Sequence, residues 1–128
     1  MNLPRNFASA LLMGVLVTVA GTSLRAQEKP MTVKGYVLDS ACAFIQNLKK
    51  PISTECARAC AKAGSPLVIL ADDGTVYWPI SDSMPAIGQN QRLMQFAGQR
   101  VTAKGKAFQR GGSRALVIEE IEAALASK

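Results

Sequence analysis

Histidine is absent from the 128 residues. Its absence removes the commonest general base and the commonest zinc or copper ligand together. Aromatic residues are scarce, with one Trp, two Tyr and four Phe. So few rings belong in a core or at its rim rather than on a stacking platform of the kind that binds single strands. No apolar run reaches the roughly 20 residues that span a bilayer as a helix. There is no glycine-rich nucleotide loop and no Ser-His-Asp set. Three cysteines are one too few for the four thiolates of an iron–sulfur cluster. The length suits one domain and no more.

What is present begins with an export signal. Arg5 and the amino terminus give a positive start, Phe7 to Ala20 is apolar apart from small residues, and Gly21 to Ala26 is a short polar segment. Ala26 has the small side chain that signal peptidase needs. Residues 1–26 are therefore predicted to be a signal peptide and 27–128 the mature domain. No cysteine follows the apolar run at the cleavage site, so a lipid anchor is not expected. The expected location is the periplasm or the medium, with no stable membrane anchor once the signal is cut. Arg5 and Arg25 leave with it, so 13 Lys and Arg face 9 Asp and Glu, a net charge of +4. That charge is too weak and too scattered to point to nucleic acid.

The mature chain reads as strands around a helical insertion. Met31 to Leu38 alternates and is rich in β-formers, with Gly35 marking a bulge or bend. Ala41 to Lys49 has helical spacing and is stopped by Pro51. Ser53 or Thr54 caps a second helix that ends at Gly64. Leu67 to Ala71 and Thr75 to Ile80 flank Asp72-Asp73-Gly74, a hairpin signal. Pro79 places the second of these at an edge or an end. Gln91 to Ala97 is helical, and Arg100 to Gln109 and Arg114 to Ile121 are strands joined through Gly111-Gly112. Five strands with a helix between the third and fourth is the order of the OB-fold, a partly open barrel. The predicted class is mainly β: an OB-like five-stranded barrel with a helical pair, about residues 39–64, inserted between strands one and two. The expected core comprises Val33, Val37, Val68, Leu70, Val76, Ile80, Phe96, Val101, Leu116 and Ile118.

Three segments carry a resemblance. V-x-G-x-V-x-D-x-x-C spans Val33 to Cys42, C-x-x-x-C-x-x-x-G-x-P spans Cys56 to Pro66, and G-x-x-V-x-x-x-G spans Gly98 to Gly105. The chain resembles small exported bacterial proteins of unknown function with an OB-like barrel. The likeness covers most of the mature chain, and the cysteine pattern is its most specific part. It implies fold and export and adds little about chemistry.

Cys42, Cys56 and Cys60 are the one concentrated reactive set. Cys56 and Cys60 are four apart on a predicted helix and share a face. Their Cβ atoms are then about 6 Å apart, whereas an unstrained disulfide wants about 3.8 Å. The expected bridge is Cys42–Cys60, with Cys42–Cys56 the alternative. In an antiparallel helical pair the start of the first helix lies near the end of the second. Closing a loop of about 15–20 residues contributes roughly 3 kcal/mol in the chain-entropy account. The rival reading joins all three thiolates on a soft metal such as Cu(I), or uses them in thiol exchange, although the usual redox motif has two intervening residues.

Asp39, three residues before Cys42, is either a helix cap or a group that tunes a thiol. Tyr36, Tyr77 and Trp78 are the candidates for a binding face. Asp72 and Asp73 beside Gly74 are turn residues. With no catalytic constellation, the sequence points to a non-enzymatic, disulfide-stapled binding or interaction module without a cofactor. Its partner is expected to be another envelope component rather than a nucleic acid.

Overall fold

A computed structural model of the chain describes residues 28–45 and 53–125. The signal over residues 1–26 lies outside them, as do Lys49, Lys50 and Pro51, the predicted stop of the first helix. No helix among the described residues is long and apolar enough to cross a membrane.

Five strands close a barrel: β1 (Lys29–Asp39), β2 (Leu67–Ala71), β3 (Val76–Ile80), β4 (Arg100–Arg110) and β5 (Ser113–Ala123). Around the barrel the order is β1-β2-β3-β5-β4, and β4 pairs back to β1. All neighbours are antiparallel except β3 and β5. This is the predicted OB-like arrangement, with two short helices, α1 (Ser40–Ile45) and α2 (Thr54–Lys62), between β1 and β2. A third, α3 (Asn90–Leu93), continues as a 3-10 turn (Met94–Phe96) between β3 and β4.

Closure depends on two glycines. Gly35 pairs with Ala71 on one side and Val101 on the other, so β1 passes there from β4 to β2. A Cβ at Gly35 would lie 2.1 Å from the Leu70 carbonyl oxygen. Gly105 sits at the register shift between β4 and β5, where a Cβ would lie 1.9 Å from the Val117 oxygen. Both are places where one backbone runs against another and no side chain fits.

The barrel interior holds Val33, Val37, Ile69, Tyr77, Val101, Ala103, Leu116 and Ile118, with Leu93 and Ala97 from the α3 segment. That segment is pinned to β1: the Val37 N–H donates to Gln99 O at 3.0 Å and the Gly98 N–H to Val37 O at 2.7 Å. Helix α2 buries Ala57 and Ala61 in the same cluster. A second cluster lies on the outer face, where Cys42 and Ala43 of α1 meet Leu38 and Val68, with Tyr36, Leu70, Val76 and Trp78 at its edge.

This second cluster corrects the expected core. Val68, Leu70 and Val76 belong to the outer face, and their neighbours Ile69 and Tyr77 point into the barrel. Phe96 is half-buried against the core, and Ile80 is exposed. The physical reason is that LVILA is apolar on both faces, one for the barrel and one for α1. Its phase is therefore invisible to alternation, and a one-residue error exchanges the two faces. Among the described residues, helix α1 rests on β1 and β2, and α2 on β1.

Candidate functional site

The insertion carries the cysteines, and its ends are fixed by side-chain caps. The Cys42 N–H donates to Asp39 Oδ1 at 3.1 Å, an N-cap for α1, and the Cys56 N–H donates to Ser53 Oγ at 3.2 Å, an N-cap for α2. At the other end of α2, Gly64 takes the left-handed conformation at φ 102° that ends a helix. Asn90 then ties three elements together. Its Nδ2 donates to Ala61 O (3.3 Å) and Ser65 O (2.8 Å), and its Oδ1 accepts the Leu67 N–H (2.7 Å). No sequence pattern marks Asn90, because its partners are backbone atoms 23 to 29 residues away.

Asp39 is the chemical centre of the insertion. It is 1% exposed and is the one buried polar or charged residue among those described. Ser65 Oγ donates to its Oδ1 at 3.3 Å, whereas Oδ2 is buried without a well-formed hydrogen bond. Burial pushes the carboxyl up. The Cys42 thiol and N–H, the Ser65 hydroxyl and the Ala41 N–H outweigh that and hold it below its ordinary value. The carboxylate acts in turn on the thiols. Cys42 is pushed up to about 12 by Asp39 and by burial, with Cys56 and Cys60 adding smaller effects. Cys60 is pushed up by burial first, then by the Asp39 charge and by Cys56. The three cysteines and Asp39 thus share one electrostatic neighbourhood. Exposure falls from Cys56, exposed, through Cys60 to buried Cys42.

The structure has the three cysteines in the reduced form, as free thiols. Nor do the described residues contain three Cys, Asp or Glu side chains close enough together to hold a metal ion.

The candidate aromatics fall on opposite sides of the wall. Tyr77 is inside the barrel, where its hydroxyl donates to the Met31 sulfur at 3.2 Å. Tyr36 and Trp78 lie on the outer face: the Arg100 guanidinium sits 5.8 Å from the Tyr36 ring centre, and Trp78 stacks with Phe44 at 6.1 Å. The three do not make one platform, since adjacent positions 77 and 78 point to opposite faces of a strand. The sequence reading missed Phe44, an exposed ring placed by α1. Asp72 and Asp73 have turn roles, Asp72 paired with Arg100 and Asp73 accepting the Thr75 N–H at 2.9 Å.

Compared with protein-family models, curated proteins and solved structures, the chain matches none.

Proposed function

We propose that this protein is an exported, non-enzymatic binding module. Its β1–β2 insertion is stapled in the periplasm by a Cys42–Cys60 bridge. The observation that carries the reading is the buried carboxylate of Asp39 beside buried Cys42. Reactive cysteines sit in electropositive surroundings that favour the thiolate. Here an anion and burial oppose it, which makes Cys42 a poor nucleophile at neutral pH and a poor leaving group once bridged. Both properties suit an inert structural bridge and count against rapid thiol exchange. Asp39 opposes ionisation of both Cys42 and Cys60, so both members of the proposed bridge share this character. The resemblance to small exported proteins with an OB-like barrel supports the compartment in which such a bridge forms.

The rival reading places a soft metal on the thiolates of Cys42, Cys56 and Cys60, which lie within one electrostatic neighbourhood. A single experiment separates the two: free-thiol titration of denatured, metal-free protein isolated from periplasm without reductant, with metal content measured beforehand. One free thiol per chain, on Cys56, is the expected result. Three free thiols with one equivalent of bound copper overturn the proposal in favour of the metal site.

A further inference from the structure

The first half of β1, through Lys34, pairs with β4 on one edge, while its pairing with β2 starts only at Gly35. The other edge of that half is left open, and a groove of about 480 Å³ lies there. Glu28, Lys29, Met31, Tyr77, Phe108 and Arg114 line it. A second groove of about 430 Å³ shares Met31 and Tyr77 and continues towards Ala71 and Asp72. Each volume falls in the usual range of about 300–1,000 Å³ for small-molecule sites.

Three features point to a ligand. The Tyr77 side chain is nearly buried, at 5% exposure, yet its hydroxyl donates to a thioether sulfur, a weak acceptor. The sulfur belongs to Met31, whose unbranched chain refills gaps easily and which lines both grooves. The rim carries two exposed cations. Lys29 and Arg114 form no salt bridge among the described residues, although Asp73 lies within range of Arg114's charge. The acid of the rim, Glu28, is held by Lys106 at 3.0 Å.

We propose that this groove binds a small organic carboxylate with an apolar body. Lys29 and Arg114 take the carboxylate, and the Tyr77 hydroxyl turns from the Met31 sulfur to a ligand oxygen. The apolar body lies against Ala107 and Phe108, with Met31 moving aside. A small inorganic anion would leave those walls unused, and a cation would meet Lys29 and Arg114. The inference rests on the binding-module reading and not on the bridge, so the thiol titration and the experiment below fail independently.

The test is calorimetric titration of the full chain with monomeric decanoate, decylammonium and acetate at low salt. Decanoate should bind saturably at one site per chain, and the other two should bind at least tenfold more weakly. Losing a hydrogen bond to a charged group weakens binding by about tenfold or more. Tyr77→Phe and the double change Lys29→Gln/Arg114→Gln should therefore each lower decanoate affinity by about that factor. Thermal unfolding of each variant reports whether the fold is kept. The exposed positions 29 and 114 keep the test valid if Tyr77→Phe destabilises the barrel. No saturable decanoate binding, equal binding of decylammonium or acetate, or unchanged affinity in a folded double variant overturns the proposal.

Discussion

Asp39 accepts the backbone N–H of Cys42 at 3.1 Å while its carboxylate faces the same residue's thiol, so one side chain caps helix α1 and suppresses ionisation of its cysteine. The coupling predicts opposite pH limits for the reduced protein. The Asp39 carboxyl is held below its ordinary value, so its contribution is complete above about pH 4 and disappears as pH falls through its lowered pKa. Cys42 is raised from 9.0 to about 12, so its contribution is complete below pH 9 and is lost as pH rises towards 12. Denaturant unfolding across this range should show both slopes in reduced protein. Cys42→Ser should reduce the alkaline one, leaving the smaller part that raised Cys60 supplies, and a Cys42–Cys60 bridge should remove both parts. An alkaline slope unchanged in Cys42→Ser contradicts the assignment.

Asn90 replaces a strand-like seam with side-chain bonds to α2, the following loop and β2. Asn90→Ala leaves the Leu67 N–H without its acceptor. A hydrogen bond contributes about 0.5–1.5 kcal/mol, so losing three should cost about 2–4 kcal/mol. The expected signature is a lower denaturation midpoint at an unchanged slope. A loss below about 0.5 kcal/mol, ordinary for surface changes, refutes the clamp.

The two faces of β2 and β3 can be distinguished by truncation. Ile69→Ala empties a fully buried site inside the barrel and should cost about 2–5 kcal/mol. Ile80→Ala, at an exposed position, should stay within about 0.5 kcal/mol. Phe44→Ala should shift the fluorescence of Trp78, the single tryptophan, without a comparable loss of stability. Equal costs at positions 69 and 80 would reverse the assignment of faces.

Gly35→Ala and Gly105→Ala each drive a methyl group into a backbone carbonyl of the neighbouring strand. Both should lose the cooperative unfolding transition or lower its midpoint sharply. Gly112→Ala meets no atom within 4 Å and serves as the matched control. Circular dichroism melts of the three variants decide the matter: similar melting temperatures would show that the strands can move apart.

The sequence by itself determined the order of elements and hence the barrel. Alternation marked β1, β4 and β5, Asp73-Gly74 marked the hairpin, and Gly64 and Gly98 marked helix ends. It also gathered the chemistry into one insertion, because Cys42, Cys56 and Cys60 are close in sequence, and it marked Asp39 as a cap. What only the tertiary structure decided is which face each residue of β2 and β3 presents. An apolar run covered on both sides has no polar positions to fix its phase. Only the fold brought Asn90 to the end of α2, set α1 on β1 and β2, and placed Tyr77 beside Met31, 46 residues away, in the lining of a groove. These are long-range contacts between residues that carry no local periodicity. They exist because a closed barrel forces distant segments to share one small interior.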